Sequence, residues 1–184
     1  GLAGQVGERH IIVVSKSIPG DRQRLTLAHE LAHRLLAGRI AENLNEETAC
    51  TRLAGALLLP RQAVCDHLGN HRNALEWREM YLLKHEFGVS MAAALFRAEQ
   101  SGVITESLKK RLFREFYTRG WGMKEPGDPV NPEHSLLFEH LVYRALSEDF
   151  IGQSKAAELL GISASQFQEN RSLTEIGVDA TAHQ

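Results

Sequence analysis

His29 and His33 stand four residues apart in the run His29-Glu30-Leu31-Ala32-His33. On an α-helix four residues advance about 6 Å along the axis and return to the same face, so both imidazoles can reach one ion. Glu30 points to the flank of that face, where it can hold a water rather than the metal itself. Zinc lowers the pKa of a coordinated water to about 7, and a neighbouring carboxylate can then take its proton during attack on a carbonyl. The chemistry this set suits is zinc-assisted hydrolysis of a peptide bond, with Glu30 as the catalytic base.

A catalytic zinc takes three protein ligands and keeps a fourth position open, so a third ligand must lie nearby. Glu46 and Glu47 open the next helical stretch. Either carboxylate can serve, and the competing assignment is that both only favour the helix dipole. In Glu47-Thr48-Ala49-Cys50 the carboxylate sits one turn before a small residue that would pack on the first helix.

These residues need rigid elements beneath them. Residues 10–15 are apolar and β-branched, which predicts a buried strand paired with Leu2 to Val6 through a turn at Gly7-Glu8. After Pro19-Gly20-Asp21 the spacing of Leu25, Ala28, Ala32 and Leu35 is helical up to Gly38, and small Ala28 and Ala32 permit close packing. Asn45 caps a second helix to about Leu59, and Pro60 starts a third. Helices follow at 75–87, 90–100 and 105–118, then at 133–148, 154–160 and 163–172, with a frayed end from Thr174. The fold class is α+β: a small N-terminal antiparallel sheet packed on the helix that carries the two histidines, followed by a mostly helical C-terminal part.

Two stretches resemble the ImmA/IrrE family of zinc metallopeptidases: residues 19–33, ending in His29-Glu30-Leu31-Ala32-His33, and residues 47–60, from Glu47-Thr48-Ala49-Cys50 to Leu57-Leu58-Leu59-Pro60. The resemblance implies a gluzincin-like fold with zinc held by His29, His33 and a glutamate on the next helix. Counting back from Pro60 makes that glutamate Glu47, so that Glu46→Gln should be nearly silent. Thr51 and Leu53 depart from the residues common there, Asn or His and Phe. It further implies a strand beside the active helix that receives an extended substrate by β-addition. Members characterised as proteases cut DNA-binding repressors, and many carry an upstream helix-turn-helix domain, which would explain the abrupt start at Gly1. The expected partner is therefore a protein substrate, possibly such a repressor. The competing reading is a non-catalytic zinc-binding regulator or toxin–antitoxin component acting through protein or DNA binding.

The expected organisation is a metallopeptidase domain at 1–119, a Pro/Gly-rich linker or loop at 120–132, a small helix-turn-helix-like segment at 133–172 and a disordered tail at 173–184. Ser154 to Ser163 has the small residues and turn glycine of a helix-turn-helix, but the following helix offers only Arg171 as a cation. A net charge of −2 gives no reason to expect nucleic-acid binding by this chain, and no apolar run suits a membrane. Two cysteines, Cys50 and Cys65, fit a reducing cytoplasm. Cys50 reads as a small packing residue. His67, His71, His85 and Tyr81 are weaker candidates for an oxyanion donor. His10, His134, His140 and His183 have no partner spacing.

Overall fold

The computed structural model describes residues 1–173. It opens with a two-stranded antiparallel hairpin, β1 (Leu2–Val6) and β2 (Arg9–Val13), in the register Leu2↔Val13 to Val6↔Arg9. Gly7 turns the corner at φ 59°, a conformation only glycine adopts without cost. Nine helices follow among the described residues: α1 (Gly20–Leu36), α2 (Glu46–Leu58), α3 (Arg61–Leu68), α4 (Trp77–Phe87), α5 (Met91–Gln100), α6 (Glu106–Thr118), α7 (Leu137–Ser147), α8 (Gln153–Leu160) and α9 (Ala164–Ser172). The architecture is α+β. No helix is long and apolar enough to cross a membrane among these residues.

The predicted buried strand is a correction. β2 is shorter than expected and lies open to solvent, with Ile11 42% and Val13 56% exposed; only Ile12 is half-buried. A two-stranded sheet has too little surface to cover its own faces, and beyond its pairing with β1 the strand β2 packs mainly against α1. His10, which had no partner by spacing, meets Arg34 of α1.

The chain divides into two compact units, Gly1–Glu133 and His134–Gln184. In the first, the apolar core lies in α3 to α6, around Met80, Leu83, Met91, Leu95 and Phe116. α1 and α2 meet differently, through the small buried residues Ala28, Ala32, Cys50 and Ala54. With no long side chains between them the two backbones approach closely, and that brings their polar faces within reach of each other. The cap at Asn45 is formed as expected: its side chain accepts from Thr48 N at 2.8 Å.

The Pro/Gly-rich stretch is ordered and tied to α1. Gly20 N donates to Val130 O at 2.8 Å, and Gln23, 4% exposed, accepts from Glu133 N at 2.6 Å while donating to Ser15 O at 3.0 Å. A side chain at Gly20 would run into the Asn131 carbonyl. Further along the loop, Glu125 accepts from the backbone of Met91 and Ala92 at the start of α5 and pairs with buried Lys84 at 3.1 Å. Because Glu133 is held by Gln23 and by Arg24 at 2.6 Å, α7 starts at Leu137 rather than at Glu133.

In the second unit, Val142, Ala156, Ala157 and Phe167 form a small core. Gly161 takes φ 69° between α8 and α9, and Ser163 opens α9 with a capping box to Gln166. The expected tail beyond Leu173, with His183, lies outside the described residues.

Candidate metal centre

α1 carries the two imidazoles on one face. Their rings stand 4.8 Å apart and nearly perpendicular, with the two Nε2 atoms 3.1 Å from each other. α2 begins opposite them, and its Asn45 cap fixes the first turn so that Glu47 reaches both rings. Glu47 lies 3.2 Å from His29 Nε2 and 3.4 Å from His33 Nε2. Three ligand atoms thus converge from two helices.

The spacing tests whether an ion suits the site. Donors about 2.0–2.1 Å from a tetrahedral zinc stand roughly 3.3 Å from one another. The separations of 3.1, 3.2 and 3.4 Å match that edge length. Two neutral imidazoles cannot present lone pairs to each other at such a distance without a proton or a cation between them. The donor set, two nitrogens and a carboxylate, is one zinc accepts, and the residues fit the metal.

The other nitrogen of each ring is also held. His33 Nδ1 donates to Glu46 at 3.1 Å, and His29 Nδ1 shares a hydrogen bond with the Thr51 hydroxyl at 3.3 Å. Such bonds fix the tautomer that leaves Nε2 free as a ligand. The hydrogen bond to Glu46 raises the His33 pKa above its ordinary value, against the opposing effect of burial; Glu47, Glu46 and Glu30 add to the rise through their charges. Sequence reasoning placed Glu46 outside the site and Thr51 in doubt. Both follow from α2 periodicity: Glu47 and Thr51 share one stripe, Glu46 and Cys50 the next.

Glu30 is half-buried on α1 and belongs to neither group of potential metal ligands. It has no hydrogen bond or ion pair to another described residue. His67, His85 and Tyr81 are not brought to this cluster. His67 bonds to Ala63 O and Glu86, and Tyr81 packs on His85. Trp77 and Trp121 are loop and core anchors in edge contact at 5.1 Å, with Trp77 donating to Glu115. Of the basic residues on α6 and its C-cap, Lys109, Lys110 and Arg119 are paired with Glu99, Glu106 and Glu115.

A profile of the peptidase M78 family, described as the IrrE N-terminal-like domain, matches residues 3–99, from β1 through α5 and both helices of the cluster. The chain belongs to the peptidase M78 family. Among curated proteins it is similar to the radiation response metalloprotease IrrE of Deinococcus deserti, at 32% identity over 102 residues, covering 48% of this chain. That alignment spans 36% of the relative's length. No solved structure matches the chain. As an M78 member the protein is of a metallopeptidase family.

Proposed function

We propose that the chain is a zinc-dependent endopeptidase in which His29, His33 and Glu47 hold the metal and Glu30 is the general base. The convergence of three ligand atoms at 3.1–3.4 Å carries this reading. Zinc held by these residues would supply Lewis acidity to the scissile carbonyl and the attacking water. Glu30, beside His29 and free of protein partners among the described residues, takes the proton of that water and returns it to the leaving amine. Glu46 and Thr51 keep the two rings oriented through their Nδ1 atoms.

The substrate is a regulatory protein, a helix-turn-helix transcriptional repressor cut in an exposed linker or a frayed helix. Resemblance to repressor-cleaving peptidases supports this. So does the exposed hairpin beside α1, whose unpaired backbone edge suits β-addition of an extended segment. Residues 1–119 act as the peptidase unit, and the helices within 133–172 form a protein-contact module in which the charges of Lys155 and Arg144 are met by Glu158 and Glu148. Two free cysteines suit a reducing cytoplasm.

The test is to incubate zinc-loaded protein, and its Glu30→Gln variant, with casein and with the repressor encoded nearest to it. Cleavage of the repressor by the unaltered protein alone is the expected result. Rapid digestion of casein with the repressor intact would leave a general peptidase. No cleavage at all, with zinc bound, would favour a non-catalytic regulator.

A further inference from the structure

We propose that the chain has a second, weaker metal position behind the first, formed by Nδ1 of His33, the carboxylate of Glu46 and the thiol of Cys50. The ligand atoms of these three residues lie within 4.8 Å of one another, with His33 and Glu46 already at 3.1 Å. Their placement repeats the logic of the first site. Glu46 and Cys50 are one turn apart on α2, so both face the side of His33 turned away from Glu47. Imidazole, carboxylate and thiolate together suit zinc, cobalt or cadmium.

Cys50 is fully buried, whereas the Glu46 side chain is 58% exposed, so an ion enters from the Glu46 side. Burial, with the nearby charges of Glu46 and Glu47, holds the Cys50 thiol above its ordinary pKa, so the metal has to displace that proton. Binding has a definite proton balance. The new sulfur–metal bond replaces the S–H bond, the new nitrogen–metal bond replaces Nδ1–H, and both protons leave to solvent. His33 then bridges two ions. That deprotonation, and the need for the set to tighten by about 1 Å to normal metal–ligand spacing, makes this the site that fills second.

The inference rests on His33 serving the first site through Nε2, and cobalt(II) separates the two. Metal-free full-length chain is titrated with cobalt while near-ultraviolet absorption, bound metal and released protons are followed. The first equivalent should bind without a sulfur-to-cobalt charge-transfer band, and the second should bring that band with about two further protons. Cys50→Ser should retain the first equivalent and weaken the second at least a hundredfold; Glu46→Gln, which leaves the buried thiol in place, should weaken the second as well. No thiolate band at saturating cobalt, or a band that persists in Cys50→Ser, would overturn the second position. Failure of the first site is read elsewhere, as survival of the band-free first equivalent in Glu47→Gln.

Discussion

The Nδ1 of His33 faces Glu46 at 3.1 Å while its Nε2 faces Glu47 at 3.4 Å, so two adjacent carboxylates grip opposite sides of one ring. Neighbours in sequence therefore have different tasks. Glu47→Gln should lower zinc affinity by a factor of a thousand or more, since an amide is a poor ligand in place of a carboxylate. Glu46→Gln should lower it by about tenfold, the usual effect of losing the group that orients a ligating histidine. This replaces the expectation, drawn from sequence, of a silent Glu46 change. Competition with a chromogenic chelator measures both, and equal losses would mean that the two carboxylates share the metal.

On the proposed reading Glu30 contributes to chemistry rather than to holding the ion, and it belongs to neither group of potential ligands. Glu30→Gln should keep one zinc and an unchanged unfolding transition while reducing cleavage by about 10²–10⁴-fold, the contribution of a positioned general base. Loss of zinc in this variant would make Glu30 a ligand and remove it from the proton transfer.

The loop bonded to α1 makes Gln23 a structural contact of the metal helix. Gln23→Ala strands the Ser15 carbonyl and the Glu133 amide, each left without its partner at about 1–3 kcal/mol. Denaturant unfolding should show a loss in that range, and zinc affinity should fall with it. An unchanged midpoint would mean that the loop does not steady α1.

His67 gives a pH dependence independent of the metal. Its Nδ1 meets the Ala63 carbonyl at 2.8 Å and its Nε2 meets Glu86 at 2.9 Å, so both nitrogens face acceptors and the imidazolium satisfies both. The Ala63 bond is the main cause of its raised pKa, burial opposes the rise, and Glu86 adds to it. A raised folded pKa gives stability that is full below the unfolded value of about 6.5 and fades as pH climbs through the folded value. The pair is partly exposed, so the effect is at most about 1 kcal/mol. Glu86→Gln should therefore destabilise the protein more at pH 5.5 than at pH 8.5, and a pH-independent difference would sink the argument.

Much of this was legible in the chain. Asn45 announces its helix because a cap is a local hydrogen bond, complete within four residues. The His29–His33 pair is legible for the same reason. The exposure of β2 was not, because Ile11, Ile12 and Val13 have the composition of a buried strand, and only the tertiary surroundings decide what covers them. The ties from Gln23 to Glu133 and from Glu125 to Lys84 are equally hidden. They join residues far apart in sequence, and no periodicity encodes them. Thr51 and Glu46 lay between these extremes: the helix period puts them on the right stripes, yet their partners belong to another helix.

The contrast between an α1–α2 contact made of alanines and a cysteine and a core of bulky side chains in α3–α6 bears on the order in which the protein opens. Small side chains bury little apolar area, so this helix pair has a shallow reserve of local stability, and on the proposed reading a bound ion would cross-link it. Amide hydrogen exchange in the chelated protein should be fastest in α1 and α2 while α4 to α6 stay protected, and zinc should slow exchange in the first pair alone. On that reading the free concentration of the ion would set how much of the population has α1 and α2 joined, with α4 to α6 folded and waiting.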